Sequence, residues 1–278
     1  MATAREAIEP YVREQAAVIR ASYGLVVADA PDAIHATRVA TRRLRGALVT
    51  FAPLWTRRHK GLRGELRWYA SALSRPRDLE VTGEWLARLC DDPEVVALPG
   101  AGAAKAELVH RVDRDRERAM ADLRHELTEE RFARLTAALH VDDWSPLAEA
   151  PADLVVVALA MAPAAAVADE ARRLPLGAAR PTALHELRKS AKAARYAVDA
   201  VGAATHSAAW KRVTENLGVT QDAWVAKDVL AELGERRPEH STVWEALVRR
   251  VDQAASVGER AGLELVQIAT ALPYPRLD

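Results

Sequence analysis

The 278-residue sequence predicts an all-α protein made of two related halves, and three observations carry that expectation. Half of the residues are hydrophobic, and thirteen glycines and fourteen prolines leave long stretches rich in Ala, Leu, Arg and Glu free of helix breakers. The pattern in "IHATRVATRRLRGAL" returns in "LHELRKSAKAARYAV", with His35 matching His185, Arg38 matching Arg188, Arg42 matching Lys192 and Arg45 matching Arg195, all at an offset of 150. Downstream, "RWYASALSRPRD" lies beside "KRVTENLGVTQD" at an offset of 144, pairing Arg67 with Lys211, Leu73 with Leu217 and Asp78 with Asp222. One change of loop length explains the slip between the two offsets, because loops tolerate insertion.

Taken in order, the breakers mark helices near Ala4–Tyr23, Asp32–Phe51, Arg57–Ser74, Leu79–Asp91 and Gly102–Glu126, with a shorter one to about His140. Pro31, Pro53, Pro76, Pro93 and Pro99 fall in the gaps, where a missing N–H costs nothing. The run "HRVDRDRERAMADLRHELTEE", His110 to Glu130, alternates charge and reads as a solvent-facing helix with i,i+4 pairs. "DDWSPLAEAP", Asp142 to Pro151, links the halves, so the expected organisation is 1–141, a linker at 142–151, and 152–278.

The second half is expected to run through Ala152–Arg173, Thr182–Val201, Ser207–Leu217, Asp222–Leu233, Pro238–Val257 and Glu259–Ala271. Its first helix contains "LVVVALAMAPAAAVA", Leu154 to Ala168, an uncharged run of 15 residues with Pro163 inside it. That is short of the roughly 20 residues that span a bilayer, so it reads as a buried helix. Asp78 and Asp222 follow turns and open predicted helices, which suits an N-cap.

One cysteine, Cys90, excludes an intramolecular disulfide framework and a cysteine zinc cluster. The N-terminus "MATAREAIEPYVREQ" lacks the apolar core of a signal peptide, and a reducing cytoplasm is the expected location. The formal net charge is zero, but it is segregated. His35 to Arg67 holds nine Lys or Arg against one acid, Glu65, and Arg180 to Tyr196 holds five against Glu186, which leaves the remaining chain at −12. Two basic islands in an acidic protein point to a localised anion site.

Positions 35, 38, 42 and 45 step by 3, 4 and 3 and fall within roughly an 80° arc of a helix, as do 185, 188, 192 and 195. Ala36, Ala40, Leu44, Ala47 and Phe51 take the other side of the first helix, and Leu184, Leu187, Ala191, Ala194 and Val198 that of the second. Arg43 sits at the edge of the first stripe, and Lys189 and Tyr196 flank the second. Lys60, Arg63 and Arg67 repeat the 3, 4 spacing on the next helix. Two like charges about 8 Å apart repel by about 0.5 kcal/mol in water and by more near a protein surface. Neither stripe carries an acid on its own face, so a polyanion is the natural countercharge. Arginine's donor fork suits phosphate oxygens.

"IHATRVATRRLRGAL" with "RPRDLEV", and "LHELRKSAKAARYAV" with "LGVTQD", resemble the CHAD family of conserved-histidine α-helical domains over nearly the whole chain. The resemblance implies two helical bundles related by a pseudo-twofold axis, a central basic surface or pore that binds inorganic polyphosphate, and association with polyphosphate granules. Carried over by position, it assigns binding to His35, Arg38, Arg42 and Arg45 and to His185, Arg188, Lys192 and Arg195, with Arg67 and Lys211 from the next helices. Ser74 stands where the family tends to have glycine, and Gln221 stands where Arg77 has its counterpart, so the second half is expected to contribute less charge at that corner.

Surrounded by arginine, His35 and His185 are expected to stay neutral and donate to phosphate, with little change of affinity between about pH 8 and pH 7. Hydrolysis of polyphosphate would ordinarily use carboxylates to hold a divalent metal, and the islands hold only Glu65 and Glu186. His-Glu-x-x-His, a Gly-rich phosphate loop and Arg-His-Gly are all missing. The expectation is therefore a non-catalytic binder with no cofactor, no metal and no membrane partner. Eight to ten basic contacts at about 0.5–1 kcal/mol each give affinities from sub-millimolar to tens of nanomolar, falling steeply with salt. The competing readings are an RNA or other polyanion binder, a phosphate-transfer enzyme using His35 or His185 as nucleophile, and a partner-binding scaffold. The first basic helix lacks Asn and Gln for base readout, and Trp68 and Tyr69, beside Arg67, are the residues that keep a base-stacking platform open.

Overall fold

Thr3 starts the first helix with a reciprocal cap: its Oγ1 accepts from the Glu6 N–H at 3.2 Å, and its own N–H donates to Glu6 Oε2 at 2.8 Å. From there the chain is helical almost throughout, in a computed structural model that describes residues 2–57, 59–273 and 275. Arg58, inside the third expected helix, lies outside the described residues.

The first half holds α1 (Ala4–Arg20), α2 (Ser22–Val27), α3 (Ala33–Thr50), α4 (Lys60–Ala72), α5 (Ser74–Cys90), α6 (Pro93–Val96), α7 (Ala101–Glu126) and α8 (Glu129–Ala137). The second holds α9 (Ala152–Arg172), α10 (Arg180–Ala200), α11 (Ala204–Arg236) and α12 (Ser241–Thr270). Among the described residues there is no strand, only isolated bridges between Thr3 and Pro151 and between Trp55 and Trp144. The fold is all-α, as expected.

Several boundaries differ from the expected ones, each for a packing reason. The helices expected to break near Leu217 and Val257 are two unbroken rods, α11 and α12. Their glycines are contact points: a Cβ on Gly258 would lie 2.7 Å from the Asn216 carbonyl oxygen, and one on Gly262 would lie 2.7 Å from Leu217 Cδ2. Small residues here let the two helices approach closely. Pro76 is not in a gap; it is the third residue of α5, where its missing N–H has no intrahelical partner to lose.

The apolar helix α9 buries one face, through Val156, Val157, Ala160, Ala164 and Val167, while Leu154 is 70% exposed. By length and composition it is apolar enough to cross a membrane; in this fold it packs on α1, α10 and α12, so the expectation of a fully buried helix is corrected to a half-buried one. The expected solvent-facing run is likewise half anchored. Leu108, Val112 and Met120 of α7 are buried, and although Arg111 keeps an i,i+4 partner in Asp115 (2.7 Å), it also reaches Glu232 of α11 (2.6 Å).

Three apolar clusters hold the helices. One joins α1, α3, α4 and α8 around Ile8, Leu44, Leu48, Leu66 and Tyr69, and takes in Val156 and Ala197 from the second half. Another packs Leu86 and Leu108 against Leu230, Trp244 and Leu247, drawing on both sides of residues 142–151. The last lies within the second half, around Val167, Leu187, Ala191, Trp210 and Val213. The interlocking brings α3 and α10 together at Gly46, whose Cβ position would lie 3.5 Å from Tyr196 Cβ, so the two basic helices meet directly.

Candidate anion-binding site

Both stripes line one cavity of about 390 Å³. His35, Arg38 and Arg42 enter it from α3, and His185, Arg188, Lys192 and Tyr196 from α10. The other two walls are α5, with Ser74, Arg77 and Asp78, and α11, with Gln221 and Asp222; Val39, Val81, Thr82 and Val225 fill the apolar parts. The arginines are not carried on an exposed face. Arg38 is only 7% exposed, while Ala36, expected on the core side, is exposed. α5 faces Arg38 across the cavity through Asp78, whereas His35 and Ala36 in the first turn of α3 are both exposed.

Asp78 and Asp222 do not cap helices. Asp78 is the fifth residue of α5 and Asp222 lies in the interior of α11. Asp78 Oδ1 accepts from Arg38 Nη2 at 3.2 Å, and Asp222 Oδ1 stands 3.8 Å from Arg188 Nη1. Each stripe therefore meets an acid from a neighbouring helix, which its own sequence does not contain. Arg38 Nη1 and Arg188 Nε are buried without a hydrogen-bond partner, so each guanidinium keeps a donor free. Arg188 is seated against Gly218, where a Cβ would lie 2.7 Å from its Nη2. His185 Nδ1 meets Gln221 Oε1 at 2.5 Å. With Nδ1–H donating to that amide, the neutral ring leaves Nε2 as an acceptor, and only the imidazolium donates a second hydrogen bond. Gln221 thus fixes the ring without adding charge.

The remaining expected residues divide. Arg45, Arg63 and Arg67 are electrostatic neighbours beyond the cavity lining; burial, then the charges of Arg42, Arg67 and Arg63, lower the Arg45 pKa. Arg195 lies 5.9 Å from the Tyr196 ring, with its Nε buried and unpartnered. Like these four, four more of the expected residues lie off the cavity lining. Arg43 pairs with Asp199 at 2.8 Å, and Asp199 also accepts from Tyr11 and Ser207, so Asp199 ties α1, α3 and α11 to its own helix α10. Lys189 pairs with Glu186 at 2.8 Å, Lys211 stands 3.7 Å from Glu215, and Lys60 is exposed at the start of α4. Arg77, Asp78, Gln221 and Asp222, all within the second aligned segment, join the lining with Tyr196, which flanks the second stripe; the cap reading of the two acids is what hid them.

Crowded positive charge leaves its mark on the cavity's cations. Burial, reinforced by Arg42, lowers the Arg38 pKa to about 10 against the opposing pull of Asp78. Burial and Arg42 also lower that of Arg188, Asp222 opposing. For Lys192, burial and then Arg188 and Arg42 bring the ammonium down to about 7, so it is half charged near neutrality. Burial raises the Asp222 pKa, with Arg188 and Lys192 pulling the other way. Such a cavity gains by admitting negative charge. The aromatic platform is closed to bases: Trp68 has the Arg131 guanidinium 4.4 Å from its ring centroid and Tyr69 stacked at 5.8 Å, and Tyr69 is fully buried.

Comparison with known proteins places these features in a family. The CHAD domain model matches residues 10–231. Uncharacterized proteins MT2285 and Rv2226 of Mycobacterium tuberculosis are each 32% identical over 219 residues, covering 74% of this chain and 41% of their own length. The chain thus spans about two fifths of the curated relatives it matches. Among solved structures, PptA from Streptomyces chartreusis superposes with a TM-score of 0.80 at 21% identity, covering 96% of this chain and 100% of that one. The CHAD domain from the plant Ricinus communis gives 0.71 at 20% identity, covering 100% and 95%. At these identities the two structures are alike in fold.

Proposed function

This chain belongs to the CHAD domain family, and on that premise we propose that its cavity binds inorganic polyphosphate without transforming it. The observation that carries this reading is the convergence of Arg38, Arg42, Arg77, Arg188 and Lys192 on one cavity, with donors on Arg38 and Arg188 buried and unpartnered. A buried guanidinium with a free N–H is a preformed seat for a phosphoryl oxygen, because its desolvation has already been met in folding. The cavity holds one part of a long chain, and Arg45, Arg63 and Arg67 extend the track beyond it. His185 is held by the neutral amide of Gln221 and, among the described residues, pairs with no carboxylate, which suits positioning better than nucleophilic activation. Binding of this kind would place the protein on cytoplasmic polyphosphate granules.

The test is a titration of the full chain with long-chain polyphosphate, and with RNA of matched charge, at physiological salt, beside an Arg38→Ala/Arg188→Ala double variant. Tight polyphosphate binding that the double variant loses, with RNA much weaker, supports the reading. Equal affinity for both polymers, or a variant that binds like the wild type, overturns it.

A further inference from the structure

We propose that Asp78 and Asp222 set the binding threshold of the site: they are tethered carboxylates that compete for Arg38 and Arg188, so that a phosphate chain binds only when its other contacts outweigh them. The inference rests on the polyphosphate reading and deepens it. The two acids arrive from different helices, α5 and α11, and each faces one arginine, Asp78 at 3.2 Å from Arg38 and Asp222 at 3.8 Å from Arg188.

Exposure shows which partner yields. The Arg38 side chain is 9% exposed and that of Asp78 58%; for Arg188 and Asp222 the values are 18% and 36%. The arginines are embedded and stay, whereas each carboxylate has water on one side and can swing away. A tethered carboxylate acts at a local concentration of millimolar or more, which a single phosphate or pyrophosphate in solution must exceed at each arginine. A longer chain meets the same two competitors but adds contacts at Arg42, Lys192, Arg45, Arg63 and Arg67, none of which has a carboxylate within 4 Å among the described residues. The cost of displacement is the same for every length, and it leaves short anions, which lack those further contacts, too weak to bind.

Orientation of the arginines is the rival role for these acids, and the geometry argues against it. Asp222 is beyond hydrogen-bond distance of Arg188, whose position is set by its contact with Gly218. Asp78 makes one bond, to Nη2, and leaves Nη1 open.

The experiment compares wild type with Asp78→Asn, Asp222→Asn and the double variant, binding pyrophosphate, tripolyphosphate and long-chain polyphosphate by calorimetry at fixed salt. Asparagine keeps a carbonyl acceptor, so it removes the charge while preserving any orienting bond. A unit charge about 6 Å from the ligand in an intermediate dielectric is worth on the order of tenfold in affinity. Each single variant should gain about that factor for every chain length, and the double variant should bind pyrophosphate at concentrations where the wild type does not. Thermal midpoints confirm that each variant is folded, and Asp78→Asn, at the more exposed position, gives an independent reading if the other is destabilised. Affinities that stay level or fall in the folded variants overturn the proposal. Failure of the wild type to bind long-chain polyphosphate at all overturns instead the function on which it rests.

Discussion

The pH dependence of binding should come from Lys192, and replacing it with arginine isolates the effect. Lys192 is enclosed with Arg188, Arg42 and Arg38, and its pKa in the free cavity is lowered to about 7. A bound polyphosphate supplies countercharge and returns the ammonium toward its ordinary value of about 10.4. The pKa is thus higher in the complex than in the free protein, so binding takes up a proton and affinity rises as pH falls. About one molecule in ten carries the charge before binding at pH 8 and about nine in ten at pH 6, so the Lys192 contribution to affinity grows about tenfold over that interval and levels off below it. Other groups face the same space: His35 from α3, Arg77 and Asp78 from α5, His185 and Tyr196 from α10, and Asp222 from α11. These groups, and the terminal phosphates of the bound polymer, are present alike with wild type and Lys192→Arg, whose guanidinium stays charged throughout. Calorimetry at pH 6, 7 and 8 in buffers of different ionisation enthalpy reads both affinity and protons taken up. Wild type should show the steeper slope by about tenfold and take up about one more proton near pH 8 than the variant; identical slopes and proton counts would refute the reasoning.

Further outcomes follow from the same geometry. Because Lys192 binds its proton less readily folded than unfolded, its charge opposes folding in full below about pH 7 and progressively less toward pH 10. Lys192→Met should therefore raise the thermal midpoint by a few degrees at pH 6, with a smaller gain at pH 9, while weakening polyphosphate binding; a gain independent of pH would contradict this. Gly218→Ala places a methyl 2.7 Å from Arg188 Nη2, the end of a flexible side chain, so affinity should fall several-fold with little change in stability. Gly262→Ala meets Leu217 at 2.7 Å on the α11–α12 seam and should cost about 1–3 kcal/mol in denaturant unfolding without touching the cavity. Arg43→Ala breaks a partly exposed pair with Asp199; about 1 kcal/mol of stability should be lost, with polyphosphate affinity within twofold of wild type.

Much of this was legible because helices announce themselves by period. The 3, 4, 3 spacing placed His35, Arg38 and Arg42 on one face, and His185, Arg188 and Lys192 on another, and the structure turns both faces into one cavity. Where the reading failed, the cause was a local rule overridden by a contact. The expected helix ends at Leu217 and Val257 fall just before Gly218 and Gly258, which are not breaks but close contacts with Arg188 and the Asn216 carbonyl. Asp78 and Asp222 matched the chemistry of caps, yet both lie inside helices and face arginines more than 30 positions away. Arg43 differed from Arg42 by one position and about 100°, enough to turn it to Asp199.

The sequence by itself determined the all-α class, the two cationic helix faces and their kinship to the CHAD family, since these depend on composition and on spacing within one helix. Only the tertiary structure decided that the faces share a single cavity, that two acids from α5 and α11 stand inside it, and that Lys192 titrates near neutrality. Those properties depend on burial and on distances between helices far apart in the chain, and charge interactions at such distances take their magnitude from the surrounding dielectric, which packing alone creates.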